Sequence, residues 1–355
     1  MSEKVENPLG TDGFEFVEFT TPDPAHMQRT FELLGFTAMA KHPTKNLVRY
    51  QQGDINLLLN TEEGGQAGAF RAAHGPSANG MAFRVKNAKD AFEKALARGA
   101  KAADASQSGL GADVQVLEGI GGSLLYLVDR YGDAGSIYDG WEKIPGAEEA
   151  AAKNDMGLRV LDHLTHNVRR GQMRVWSEFY NRVFNFQEQK YFDIKGKATG
   201  LFSQAMIAPD GEIRIPLNES QDDKSQIEEY LRRYNGEGIQ HLAFTTDNIY
   251  DTIERMKAGG MVFQDTIETY YELLDKRIPE HGEDLPRLKK NRILLDGSKE
   301  EGLLLQIFTE DLFGPIFFEI IQRKGNEGFG NGNFQALFES IELDQIRRGV
   351  IKVEG

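Results

Sequence analysis

GMAFRVKNAKDAFEKALARGA, residues 80–100, lies without a gap over HLAFTTDNIYDTIERMKAGGM, residues 241–261, at a constant offset of 161. In that register Ala82, Phe83, Asn87, Asp90, Glu93 and Gly99 meet Ala243, Phe244, Asn248, Asp251, Glu254 and Gly260. Each copy reads as a short apolar strand, a polar turn and an amphipathic helix, with Ile249, Ile253 and Met256 at helical spacing and glycine behind. Self-similarity at a fixed offset makes this unit, rather than the whole chain, the object to be folded. A weaker pair sets FVEFTTPDPAHMQRTFELLGF from Phe16 beside HLTHNVRRGQMRVWSEFYNRVFNF from His163, again a strand leading into a helix. Stretches such as NLVRYQQGDINLLLN and GSLLYLVD alternate or run apolar between turn residues, so each unit should finish with antiparallel strands. The spacing predicts an α+β fold of four strand–helix–strands modules in two halves.

GAEEAAAKNDMG, residues 146–157, is polar and Ala-rich and reads as the linker, which divides the chain into 1–150 and 151–355. The charged stretch from about 265 to 302, broken by two prolines, lengthens the fourth module and reads as a solvated loop. The last residues predict an amphipathic helix with Asn333 as its N-cap and Phe334, Leu337, Phe338 and Ile341 on one face. GFGNGN, from Gly328, has the look of a dinucleotide fingerprint, but no βαβ unit follows it; it reads as the hinge of a C-terminal lid.

Composition bounds the chemistry. A length of 355 residues suits two domains, and 40% hydrophobic residues suit globular ones. With no cysteine there is no disulfide, thiolate zinc site, iron–sulfur cluster or cysteine nucleophile, so any metal must use His, Asp or Glu. A net charge of -14 opposes attachment to nucleic acid or anionic lipid. No apolar run has the length of a signal peptide or a spanning helix, so the expected location is the cytoplasm, with no membrane partner.

Of seven histidines, two lead the repeated strands of the second half: His163 in VLDHLTHNV and His241 in GIQHLAFTT. A single histidine on such a strand is ordinarily a hydrogen-bonded core residue. Two at equivalent positions of related modules face one cavity. Glu319 is the one acid inside the apolar run GPIFFEIIQRKG, and a buried carboxylate needs a cation. An Arg or Lys could supply it, and Arg323 is the nearest candidate in sequence, but the run into KGNEG sets it at the exposed end, so a metal is the preferred partner. His241 aligns with Gly80, Glu319 with Tyr126 and His163 with Phe16, so all three ligands are missing together from the first half. A requirement of the module itself would have kept them in both. His166 stands at an odd offset from His163, on the opposite strand face, and is excluded. Two imidazoles and a carboxylate with open positions form the facial triad of non-haem Fe(II) oxygenases, and the same set holds zinc in hydrolases. The spacing, 78 residues in both intervals, does not choose between them.

Through HLTHN, YFDIKG, IRIPLNE, EGIQHLAF, LLLQIFT, FFEIIQRKG and GFGNGNF the sequence closely resembles the bacterial 4-hydroxyphenylpyruvate dioxygenases. The resemblance covers nearly the whole chain and implies four βαβββ modules of the vicinal-oxygen-chelate, or glyoxalase-like, type. It implies Fe(II) on His163, His241 and Glu319, a metal-free first half, and a catalytic second half closed by the terminal helix. It also implies catalytic roles for Ser203, Asn218, Gln240 and Gln306. Pro216, Gln226, Phe308, Phe317, Phe329, Asn333 and Phe334 match the substrate pocket. The implied reaction takes 4-hydroxyphenylpyruvate and O2 to homogentisate and CO2, with hydroxymandelate synthase as the sister activity and a non-catalytic binding relative as the rival. A homo-oligomer, taken to be a tetramer, is expected.

Overall fold

Most identities between the two repeats are capping and packing positions. The computed structural model of the chain describes residues 5–195, 200–333, 335 and 336. Asn87 and Asn248 are the N-caps of helices Ala88–Ala97 and Ile249–Ala258, where their side chains accept from the backbone N–H of Asp90 and Asp251. Those aspartates sit in the first turn, where the helix dipole favours a negative charge. Gly99 and Gly260, at φ +89° and +101°, take the left-handed conformation that turns the chain out of each helix.

The described strands form two sheets of eight. The first holds β1 (Thr11–Thr20), β2 (Thr37–Lys41), β3 (Leu47–Gln52), β4 (Ile55–Asn60), β5 (Ser77–Val85), β6 (Gln115–Glu118), β7 (Leu124–Val128) and β8 (Glu142–Lys143). The second holds β9 (Leu158–Val168), β10 (Gln187–Lys195), β11 (Gly200–Ile207), β12 (Arg214–Ser220), β13 (Gly238–Thr246), β14 (Leu294–Ser298), β15 (Gly302–Phe308) and β16 (Phe317–Lys324). Their orders are β6-β7-β5-β1-β4-β3-β2-β8 and β10-β11-β12-β9-β13-β16-β15-β14. The leading strands of paired modules lie antiparallel at the centre of each sheet, β1 on β5 and β9 on β13, and each runs parallel to its own module's last strand. This is the expected βαβββ arrangement in two curled sheets. The second module is reduced: after its helix it has β6, β7 and a single bridge, Ala102 to Leu117.

Aromatic residues join the halves. Phe19 of β1 lies 5.5 Å from Phe31, 5.9 Å from Phe313 and 6.3 Å from Phe318, ring centre to ring centre. The repeated phenylalanines serve the same seam: Phe83 packs on Phe184 and Phe186, and Phe244 on Phe36 and Phe318. The 146–157 stretch, read as a linker, contains the helix Ala147–Asn154, and Asn154 donates to the carbonyls of Glu32 and Phe36.

The stretch read as a solvated loop from about 265 is folded. It carries helices Glu268–Glu272, Leu274–Arg277 and Leu285–Asn291, and Tyr270, Tyr271, Leu274 and Leu288 are buried. Asp284 caps the last of these and Pro286 occupies its first turn, so a residue that suggested a break in fact starts a helix. The chain is already helical at residues 331–333, so Asn333 is not an N-cap; the other positions named for the terminal helix, Phe334 included, lie outside the described residues. Among the described residues no helix is long and apolar enough to cross a membrane.

Candidate metal centre and its cavity

Three neighbouring strands bring the triad together. His163 on β9 stands opposite Ala243 on β13, and Ala243 stands opposite Glu319 on β16; His241 is two residues back along β13. The small, buried Ala243 leaves the space that the three longer side chains enter. Nε2 of His163 and Nε2 of His241 lie 3.1 and 3.3 Å from Oε2 of Glu319, and the candidate ligand atoms all lie within 4.8 Å of one another. Among the described residues this is the one group of three or more such side chains that converges so.

Two β-bulges orient the imidazoles. Between the β9–β13 pairs His163–Ala243 and Leu161–Phe244 the register slips at Asp162, and between Ile239–His166 and His241–Thr165 it slips at Gln240. A bulge lets consecutive side chains share a face. Asp162 Oδ2 therefore accepts from Nδ1–H of His163 at 2.8 Å, and Gln240 Oε1 accepts from Nδ1–H of His241 at 3.0 Å. With Nδ1 donating, each Nε2 directs its lone pair at the carboxylate. Three lone-pair donors facing one another in a buried site repel unless a cation lies between them. The donor set therefore fits a divalent metal with two imidazoles and one carboxylate.

The titration behaviour follows from the same contacts. Burial alone would raise the Glu319 carboxyl, but the two histidines hold it down at about 2. Burial likewise opposes charge on His163, yet Asp162 and Glu319 together raise it. His241, with one carboxylate and a neutral amide beside it, is lowered by burial. Asp162 is held well below the usual carboxylate range against its burial, by hydrogen bonds from Arg323 and His163. Arg323 is thus neither exposed, at 12% of its side-chain surface, nor paired with Glu319. His166 turns away from the triad, its Nε2 2.8 Å from the Tyr180 hydroxyl.

Glu319 has a second support. Gln306 Nε2 donates to its Oε1 at 2.9 Å, Asn333 Nδ2 donates to Gln306 Oε1 at 2.8 Å, and Tyr270 from the folded insertion donates to Asn333 Oδ1 at 2.6 Å. Gly330, at φ +77°, passes so close to Gln306 that an added Cβ would lie 1.6 Å from its Oε1. Gly330→Ala should therefore push Gln306 off Glu319 and lower turnover roughly tenfold, the smaller end of what loss of a supporting contact costs a metal site. Unchanged steady-state rates would show that the segment shifts at no cost.

The triad opens on a cavity of about 290 Å³. Of the residues named by resemblance, Ser203, Pro216, Asn218, Gln226, Gln240, Gln306, Phe308, Phe317, Phe329 and Asn333 line it; Phe334 lies outside the described residues. Thr165, Leu201, Ile227, Gln264, Leu294, Gly330 and Asn331 also line it and were not singled out. Of these, Thr165 had a readable signal: it lies two residues from His163 on the same strand face. Gln264, beyond the β13 helix, had none. Phe317 stacks on His241 at 4.8 Å, and Phe329 meets His163 edge-on at 5.3 Å. No Lys or Arg is among the described lining residues, so within the described lining a ligand carboxylate would find its counter-charge only at a metal held by the triad.

The first half repeats the lattice without the ligands. Phe16, Gly80 and Tyr126 occupy the positions of His163, His241 and Glu319, as the strand registers show. Phe16 and Tyr126 pack at 5.1 Å, and the Tyr126 hydroxyl donates to the buried Glu18 at 2.7 Å, beside donations from Asn60 and Asn79. Tyr126→Phe should cost about 1–3 kcal/mol of unfolding free energy by removing one of these donors. It should leave the metal content measured by elemental analysis unchanged, and a folded variant with less metal would place a ligand in this half.

Residues 5–141 match the family described as "Hydroxyphenylpyruvate dioxygenase, HPPD, N-terminal", and residues 160–274 the "Glyoxalase/Bleomycin resistance protein/Dioxygenase superfamily". The chain is 57% identical over 350 residues to 4-hydroxyphenylpyruvate dioxygenase of Pseudomonas aeruginosa, covering 97% of each chain. It is 55% identical to hemolysin VllY of Vibrio vulnificus, covering 97% and 98%, and 51% identical to 4-hydroxyphenylpyruvate dioxygenase of a Pseudomonas sp., covering 98% and 99%. Among solved structures, a xylose isomerase-like TIM barrel/4-hydroxyphenylpyruvate dioxygenase fusion protein matches with TM-score 0.79 at 30% identity over 95% of this chain. The chain spans about half of that fusion's length, 54%. A mutant of 4-hydroxymandelate synthase from Streptomyces coelicolor matches with TM-score 0.79 at 25% identity, covering 95% and 99%.

Proposed function

The chain belongs to the family of 4-hydroxyphenylpyruvate dioxygenases, and on that premise we propose that His163, His241 and Glu319 hold Fe(II) for the conversion of 4-hydroxyphenylpyruvate and O2 to homogentisate and CO2. The convergence of the three ligand atoms, each backed by its own hydrogen-bond partner, carries the reading. Bound iron supplies a chelating centre for the 2-oxo acid and the site at which O2 is activated.

The protein's own residues do the rest. Asp162 and Gln240 hold the imidazoles in the tautomer that binds a metal, and Gln306 fixes the carboxylate. Phe308, Phe317 and Phe329 wall the reaction off from water and grip the ring. Ser203 and Asn218 face each other across β11 and β12, with Gln226 opening the next helix. Asn218 pairs in register with Asn167, four residues along β9 from His163, so this neutral polar cluster lies roughly 13 Å along the strand from that histidine. It suits the phenol hydroxyl, while the charged oxo acid stays at the metal end. The reading extends to a cytoplasmic homo-oligomer, taken as a tetramer, which light scattering would test.

Identity to the dioxygenases exceeds identity to the hydroxymandelate synthase, which favours attack on the ring over attack on the benzylic carbon. The test is anaerobic loading of the metal-free protein with Fe(II), addition of 4-hydroxyphenylpyruvate and air, and product identification by mass alongside O2 consumption. One homogentisate and one CO2 per O2 is the expected outcome. Hydroxymandelate would overturn the ring placement, and absence of O2 uptake would overturn the iron assignment.

A further inference from the structure

Arg323 touches two things at once. Its Nε and Nη2 take the two oxygens of Asp162, at 2.9 and 2.7 Å, and its Nη1 donates to the carbonyls of Asn326 at 2.9 Å and Gly328 at 2.7 Å. The guanidinium also lies 5.9 Å from the ring centre of Phe329. Asp162 is the Nδ1 partner of His163, and Phe329 packs edge-on against that same ring. One planar cation therefore holds both the carboxylate that aims His163 and the backbone that carries Phe329 into the cavity wall. Arg214 repeats the connection more weakly, reaching Asp162 Oδ1 at 3.2 Å and Glu327 Oε2 at 2.8 Å.

We infer that Arg323 is a positioning residue that couples the aim of His163 to the seating of segment 326–329, so that metal binding and closure of this wall strengthen each other. The inference rests on the reading of the triad as a metal centre. A carboxylate held by one hydrogen bond can swing about its χ angles; a two-pronged guanidinium fixes its plane, and with it the oxygen that receives Nδ1–H. Fixing that oxygen fixes the direction of Nε2. The opposite edge of the same guanidinium is spent on the carbonyls of 326 and 328, so a displacement of the segment withdraws the fork from Asp162. Reciprocity then requires that a metal, by holding His163 in place, hold the segment too. A lysine keeps the charge but cannot serve both edges.

The test compares the full-length wild type with Arg323→Met and Arg323→Lys, each confirmed folded by circular dichroism. Metal-free protein is titrated anaerobically with Fe(II), and with Co(II) as a spectroscopic probe, while hydrogen exchange is followed at residues 326–333. Metal should slow exchange there in the wild type. Arg323→Met should bind metal roughly 10- to 100-fold more weakly, the range for loss of a supporting contact, and should lose the metal-induced slowing; Arg323→Lys should recover part of the affinity. A folded Arg323→Met with wild-type affinity would overturn the coupling, as would weakened affinity with the slowing intact. If Arg323→Met does not fold, Asp162→Asn, which keeps an acceptor for Nδ1–H but loses the charge that anchors the fork, should show the same paired loss, and wild-type behaviour in it would overturn the inference. A wild type that binds neither ion would instead overturn the metal reading of the triad.

Discussion

Glu319→Gln is expected to weaken Fe(II) binding by at least about 100-fold, or about 2.7 kcal/mol, and to reduce turnover nearly to nothing. The substitution is isosteric. A glutamine oxygen would still accept from Gln306 Nε2, so the closing segment keeps its anchor and β16 keeps its packing. What disappears is the one negative charge among the three ligands, and a dication held by two neutral imidazoles and an amide lacks the charge that offset its own desolvation. The loss should exceed that of any supporting residue, because Glu319 would touch the metal itself while Asp162 and Gln306 act through a ligand. Iron content by elemental analysis, with thermal unfolding of the metal-free protein as the fold control, checks it. Iron content and turnover near wild type would remove Glu319 from the metal centre.

The largest stability effect should come from the seam between the halves. Phe19→Ala is expected to lower the free energy of unfolding by about 3–5 kcal/mol, the range for removing a fully buried phenylalanine. Phe19 has none of its surface exposed and meets Phe31 from its own half and Phe313 and Phe318 from the other. The cavity left behind is bordered by rigid rings on both sides, which cannot collapse into it. Phe318 neighbours Glu319 on β16, so the loosened seam lies one residue from the triad, though on the opposite strand face. Urea unfolding followed by fluorescence and circular dichroism should show the midpoint fall. A shift below about 1 kcal/mol would mean that the two sheets do not rely on this cluster, and non-coincident transitions would mean that they unfold separately.

Much of the site was legible because its signals were local. His163, His241 and Glu319 stood out as polar residues at set places in apolar strands, and their replacement by Phe16, Gly80 and Tyr126 could be read from alignment of the halves. Gln240 was legible by resemblance alone: strict alternation would have sent it to the face opposite His241, as it sends His166 away from His163. Asp162 was not legible at all, since it too lies at an odd offset. Arg323 was read as exposed because a charged run follows it, whereas it is drawn inward by a carboxylate 161 residues away. The stretch after residue 265 was read as a loop because its helices are short, below the length at which periodicity speaks, and its two prolines read as breaks. Its buried Tyr270 nonetheless braces Asn333.

By itself, then, the sequence determined the repeating unit, the ligand types, and the half in which they converge, because capping residues, apolar periodicity and strand face are properties of neighbours along the chain. Only the tertiary structure decided which residues stand behind those ligands. A β-bulge is a slip between two paired strands, and neither strand shows it alone; the slips at Asp162 and Gln240 turn both side chains toward the histidines that follow them. The contacts of Arg323 and Asn333 likewise exist only once β9, β15, β16 and the closing segment are side by side. The aim of a metal ligand is set by such cross-strand partners, and so it belongs to the fold rather than to the motif.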